Sequence, residues 1–315
     1  MHSGGSAVLL GASRLTLALE AALCDFMHMA HAVLFPTGWA AGYGAIQGLV
    51  RPDDHVVLDE RAHACLQQGA SAATRNIRRT LHLDLASLEH ALAAIRSGDT
   101  RNAILVVTES LFSMDSDTPD IAAWQKICTA YGATLLVDVA HDLGAVGSDG
   151  RGMLGAQNMV GKVDLLVGSF SKTFATNGGF VLTQPTAAKA FLPFFASTHV
   201  FSNALSPLQA AVALAALTIV RAPEGAGRRH ALAARSTQLR AALSEARFTC
   251  MGNRSPIVPV FVGDERLARL VIRALPAHGV VANLVEYPGV SRGAARLRLQ
   301  LMATHNPDQV RRAGK

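Results

Sequence analysis

The chain has 315 residues, half of them hydrophobic and 17% charged, with a formal net charge of +6. That length and apolar content are ample for one large domain with a smaller one beside it, and they exclude a disordered chain. Arginine and lysine are scattered, with no basic stripe interleaved with aromatics, so nucleic-acid binding is not indicated; the surplus charge fits an ordinary solvated surface or attraction of a polyanionic substrate or an acidic protein.

The four cysteines, Cys24, Cys65, Cys128 and Cys250, show neither metal spacing nor a paired pattern. They read as reduced thiols of a cytoplasmic protein, and no metal site is expected. Met1 to Gly5 lacks the charged segment and apolar core of a signal peptide. The apolar runs are too short to span a bilayer, so no membrane span is expected.

The opening S-G-G-S-A-V-L-L-G-A-S is expected to be turn-rich, followed by a helix over about Thr16 to Met29. Ala32 to Phe35 is a short strand that runs into Pro36-Thr37-Gly38-Trp39, with a small-residue helix from about Ala40. Val56 to Asp59 reads as a strand, then a polar loop holds His63. Leu85 to Ile95 is an amphipathic helix, and Ile104 to Thr108 a strand that ends at Glu109. Ile121 to Tyr131 is a helix stopped by Gly132. Strands follow at Leu135 to Asp138, Val163 to Val167 and Gly178 to Leu182. Strands alternating with helices predict an α/β fold with a mostly parallel sheet, whose ligands bind at the carboxyl ends of the strands. Glu109, Asp138 and Ser169 fall at such ends and are expected to face one cleft.

Past Pro207 a long Ala/Leu helix is expected to reach about Val220 and to be broken over Ala222 to Gly227. This break sets the expected boundary between a large domain, 1–221, and a smaller α/β domain, 222–315. The smaller domain should hold a helix (Arg229 to Ala246), a strand (Ile257 to Val262), a second helix (Glu265 to His278) and the strand-like A-R-L-R-L-Q-L.

The chemistry centres on Lys172, in G-S-F-S-K-T-F, and on Asp138, 34 residues earlier in L-L-V-D-V-A-H-D. Most lysines are solvated. This one follows a buried strand, among small and hydroxylated residues, where partial desolvation frees its amine as a nucleophile. A carboxylate at a strand end is costly to bury without a donor partner, and a pyridinium N–H would satisfy it. A lysine for a Schiff base and an aspartate for the pyridine nitrogen are what pyridoxal 5'-phosphate (PLP) chemistry requires. Ser169 can donate to a phosphate. Gly38 and Trp39 open a helix whose free N–H groups could hold one. His141, three residues past Asp138, is either structural or beside the cofactor. His63 has a flat ring that could stack on another. Arg296 and Arg298 share one face of their strand, either exposed on a sheet edge or clamping a carboxylate.

These motifs occur in order along the chain: S-G-G-S, F-P-T-G-W-A-A, D-E-R-A-H-A-C, T-E-S-L-F-S-M-D-S-D, D-V-A-H-D-L-G, G-R-G, G-S-F-S-K-T-F, G-G-F-V, V-F-S-N-A-L-S-P and Y-P-G-V-S-R-G-A-A-R-L-R-L. Together they resemble the α-oxoamine synthases, fold-type-I PLP enzymes that include 8-amino-7-oxononanoate synthase, 2-amino-3-ketobutyrate CoA ligase and serine palmitoyltransferase. The resemblance implies decarboxylative condensation of an amino acid with an acyl thioester, carried by coenzyme A or an acyl carrier protein, to an α-amino ketone. It implies that Lys172 holds the cofactor, Asp138 pairs with its ring nitrogen and His63 stacks on it. His141 and Ser113 would approach the phenolic oxygen, Gly38, Trp39 and Ser169 the phosphate, and Glu109 would shape the site. Arg296 would bind the amino acid carboxylate. Ser202 and Asn203 would reach the cofactor of a neighbouring subunit, in a homodimer with shared active sites.

The chain also departs from the family pattern. It opens at the glycine-rich segment without the family's N-terminal arm, and stops short of its usual last helix. Ser13 and Thr16 stand where the pattern has histidines, with Leu19-Glu20 retained, and Val139 and Asp142 flank Ala140-His141 in place of the usual acid and small residue. Two other readings stay open: PLP chemistry of another kind, aldol cleavage or transamination, and a truncated non-catalytic member of the fold.

Overall fold

The computed structural model describes residues 4–314. Seven strands form the main sheet: β1 (His31–Phe35), β2 (His55–Asp59), β3 (Ile77–Thr80), β4 (Ile104–Glu109), β5 (Thr134–Asp138), β6 (Leu165–Ser169) and β7 (Gly179–Thr183). Their order across the sheet is β1-β7-β6-β5-β4-β2-β3. The run β3-β2-β4-β5-β6 is parallel, and β7 is antiparallel to both its neighbours.

Parallel strands buried on both faces must be apolar throughout, and here they are. Alternation sends Val106, Val137, Leu166 and Leu182 to one face and Leu105, Val107, Leu136, Val167 and Val181 to the other. The first face is covered by the helices Arg14–Met27, Leu85–Arg96, Ile121–Ala130 and Pro207–Arg221, the second by Gly38–Leu49, Ala64–Ala73 and Thr186–Phe195. Each fully buried Leu, Val or Phe on these faces contributes about 1.5–3 kcal/mol.

Local signals set the helix ends. Ser13 and Thr16 make a reciprocal capping box for the first helix, which ends at Met27, two residues before the expected Met29, with His28 closing it in the left-handed conformation. The opening segment forms one π turn, Ala7–Gly11; Met1 to Ser3 lie outside the described residues.

The expected break over 222–227 is corrected. Only Ala222 is extended; Pro223 starts the next helix, which runs to Glu245. A proline at the first helical position loses no bond, because that N–H would be unpaired anyway. The two helices meet at a 76° corner. We propose this corner as the boundary between the large domain and the smaller one.

Beyond it, β8 (Ile257–Gly263), β10 (Ala295–Gln300) and β9 (Asn283–Val285) form an antiparallel sheet with β10 in the middle. The A-R-L-R-L segment is therefore central, not an edge. Leu297 and Leu299 pack with Leu239, Leu243, Val258 and Val260 in a separate core. Among the described residues no single helix is long and apolar enough to cross a membrane.

Candidate active site

Glu109 and Asp138 end adjacent parallel strands and pair in register, which sets two carboxylates side by side. Asp138 takes one main-chain N–H, from Ala140 at 2.8 Å. Burial raises its pKa, opposed by the nearby charges of Lys172 and His63. Glu109 is 2% exposed and accepts the His63 N–H at 2.7 Å. Burial, and then the charge of Asp138, push its pKa well above the carboxylate range. His141 is held neutral: burial lowers its pKa well below the usual value, and Lys172, Arg298 and His63 add to the effect.

Lys172 sits on a tight turn between β6 and β7. Phe170 N–H donates to Gly178 O at 2.9 Å, and Ala175 N–H to Lys172 O at 3.1 Å. Phe170, Phe174 and Phe180 anchor the turn from below, with ring centroids 5.3 and 5.5 Å apart. The amine is left exposed above them.

The helix Gly38–Leu49 points its N-terminus at the same strand ends, capped by Thr37. A Cβ on Gly38 would lie 2.4 Å from that of Ser169, so glycine is needed for this approach. The Ser169 and Ser171 hydroxyls are 2.7 Å apart beneath it. Trp39 is half exposed and stacked on Tyr43.

Two cavities open around these groups. One, of about 860 Å3, is lined by Lys172, His141, Ser171 and Arg298, with Val212, Ala216 and Ile219 on its apolar wall. The other, of about 840 Å3, is lined by His63, Ser113, Arg61 and Arg296. Arg296 is 5% exposed and ion-paired with Asp115, and it also donates to Met114 O and Ala294 O. Arg298 faces Lys172 and His141, and its buried Nε has no partner in the described protein. Sequence alternation put both arginines on one face but could not say which cavity each would enter. Ser202 and Asn203 lie outside both cavities, in the loop before the Pro207–Arg221 helix.

Two further residues support the site. Asp142, directly after His141, is buried; it accepts from Ser110 Oγ at 2.8 Å and Met153 N–H at 2.7 Å, and burial pushes its pKa up to about 7. Its place directly after Ala140-His141, where the family pattern has a small residue, is the only sequence signal. His82 bridges Asp59 at 2.8 Å and Asp117 at 3.0 Å. Burial alone would lower its pKa, but those two carboxylates raise it to about 9. His82, Asp115 and Asp117 bring ligand atoms within 4.8 Å of one another, yet the cationic His82 and the two arginines on Asp115 already balance the acids.

Residues 1–315 match the family described as aminotransferase class I and II. The chain belongs to that family. Among curated members of this aminotransferase class I and II group, the chain is 38% identical to the 8-amino-7-oxononanoate synthase of Klebsiella pneumoniae subsp. pneumoniae over 310 residues, covering 98% of this chain and 79% of the relative. It is 36% identical, over the same length and shares, to that of Salmonella dublin. The serine palmitoyltransferase of Sphingomonas wittichii superposes with a TM-score of 0.93 at 28% identity, covering 99% of this chain and 77% of the other. A serine palmitoyltransferase of S. paucimobilis carrying bound PLP–myriocin superposes at 0.92, also with 28% identity, over 99% and 79% of the two chains. The fold is that of a fold-type-I PLP-dependent transferase, as the sequence resemblance implied.

Proposed function

We propose that the chain is a PLP-dependent C-acyltransferase of the α-oxoamine synthase type, which condenses an amino acid with an acyl thioester and releases CO2 and the free thiol. The observation that carries this reading is the convergence of Lys172, His141 and the unpartnered Arg298 on one cavity, beside the strand-end carboxylate Asp138.

The residues fit the cofactor. Asp138 is a half-buried carboxylate with one main-chain donor, which leaves room for a ring N–H. Gly38, Trp39 and Ser169 form a helix N-terminal cradle that suits a phosphate. Lys172 would hold the aldehyde carbon and His63 would lie against the ring. When bound, PLP supplies an electron-withdrawing ring that stabilises negative charge at the amino acid Cα.

The chain's own groups then divide the work. Arg298 Nη and Nε bind the amino acid carboxylate, which orients the Cα–H bond. Lys172 Nζ takes the Cα proton and later returns one. Asp138 would keep the cofactor's ring nitrogen protonated. Neutral His141 donates from a ring N–H without adding positive charge near Lys172. Ser113 opens from the second cavity, on the His63 side.

The clamp assigned at first to Arg296 moves to Arg298, because the Arg296 guanidinium is already occupied by Asp115. We further propose a homodimer in which Ser202 and Asn203 reach the partner's site, since neither faces its own cavities. The acyl donor is proposed to be a coenzyme A or carrier-protein thioester. A reducing compartment, the cytoplasm, suits the four free cysteines.

The test is the visible spectrum with PLP, then borohydride reduction and peptide mapping. Label on Lys172, and an amino ketone formed only when an acyl thioester is present, support the reading. Label scattered over surface lysines, or turnover of the amino acid alone, would overturn it.

A further inference from the structure

His63 is held by three contacts that its role in the site does not explain. Its main-chain N–H donates to Glu109. Its Nδ1 accepts the Cys65 main-chain N–H at 3.3 Å, and the Cys65 Sγ stands 3.0 Å from the same nitrogen. Cys65 is 2% exposed, and the close-packed Gly42, where an added Cβ would lie 2.6 Å from Sγ, pins the thiol from the other side.

Hydrogen-bond chemistry fixes the roles. A main-chain N–H can only donate, so this contact calls for the Nδ1 lone pair, but at 3.3 Å it is long and favours that tautomer without locking it. The thiol then faces that lone pair as a second donor. Burial, with the carboxylates of Asp138 and Glu109 adding to it, keeps Cys65 a protonated thiol well above the usual range, so the S–H is there to give. A neutral imidazole with Nδ1 as acceptor carries its hydrogen on Nε2. That nitrogen has no hydrogen-bond partner among the described residues, and His63 lines the second cavity.

We propose that Cys65 is a positioning residue that locks His63 as the Nε2–H tautomer. A fixed N–H donor is thereby held at the edge of the cavity for a substrate oxygen. The tautomer stands on this chain's contacts alone; its use in catalysis rests on the proposed function. Cys65 itself touches no reacting atom.

Nitrogen-15 NMR of histidine-labelled full-length protein tests this directly, because protonated and bare ring nitrogens differ widely in shift. His63, assigned through His63→Gln, is expected as the Nε2–H form at pH 7.5. Cys65→Ala is expected to mix the tautomers, and Cys65→Ser, which restores a donor, to return the single form. In the same variants the amino acid KM should rise about tenfold for Ala and recover for Ser, with thermal melts checking the fold. An unchanged single tautomer in Cys65→Ala would assign the lock to the backbone alone and overturn the role of the thiol. A wild-type His63 with its proton on Nδ1 would overturn the whole inference. Neither result bears on the Lys172 labelling test.

Discussion

Arg296 and Arg298 stand two residues apart on one face of β10, yet they serve different cavities: Arg296 is bound to Asp115 in one, and Arg298 is open to Lys172 in the other. The pair sets a guanidinium that is already ion-paired beside one whose buried Nε has no partner in the described protein.

Arg298→Ala should raise the amino acid KM about 10–100-fold, and Arg298→Lys should recover only part of it, because an ammonium lacks the planar fork. Arg296→Ala should act on stability instead, by about 3 kcal/mol, since Asp115 keeps only the half-exposed Arg61. Steady-state kinetics set beside urea denaturation separate the two. Equal effects on KM from both variants would refute the division.

Asp138→Asn should lower kcat by about a hundredfold or more while the protein stays folded, because a neutral amide cannot hold the ring nitrogen protonated. Rapid-quench kinetics with intact circular dichroism check it. Kinetics like wild type would remove Asp138 from the proposed role.

Asp142 predicts a pH dependence of stability. Its folded pKa of about 7 lies above the ordinary 3.8, so the fold prefers the protonated form. That contribution is full below pH 3.8 and is lost as pH rises through about 7. Wild type should therefore lose stability relative to Asp142→Asn across this interval. Denaturant midpoints for both proteins at pH 5 and pH 8 give the answer; parallel midpoints would mean the group does not titrate there.

His82 predicts a second dependence, at higher pH. Its folded pKa of about 9 exceeds the ordinary 6.5, so its bridge is fully present below pH 6.5 and fades as pH rises through about 9. His82→Gln should cost about 3–5 kcal/mol at pH 6, because the 0% exposed Asp59 loses its cationic partner, and much less at pH 10. Thermal melts at the two pH values measure the difference.

The main sheet was readable because its central strands are apolar runs that end in an acid or a serine, and a strand buried on both faces admits little else. Glu109, Asp138 and Ser169 were found at those ends for that reason. β3, with its two adjacent arginines, carries no such run and gives no strand signal in the sequence. Pro223 reads as a breaker in the sequence because a proline's meaning depends on which helical position it takes, and only the fold shows that. His82 and Asp142 are invisible in the sequence as a bridge and as a buried acid, since their partners lie 11 to 35 residues away.

β10 lies between β8 and β9, hydrogen-bonded on both sides. It is therefore a stiff beam, with one guanidinium tied to Asp115 and the other turned to the cavity that Lys172 lines. One strand thereby sets the spacing of the two cavities.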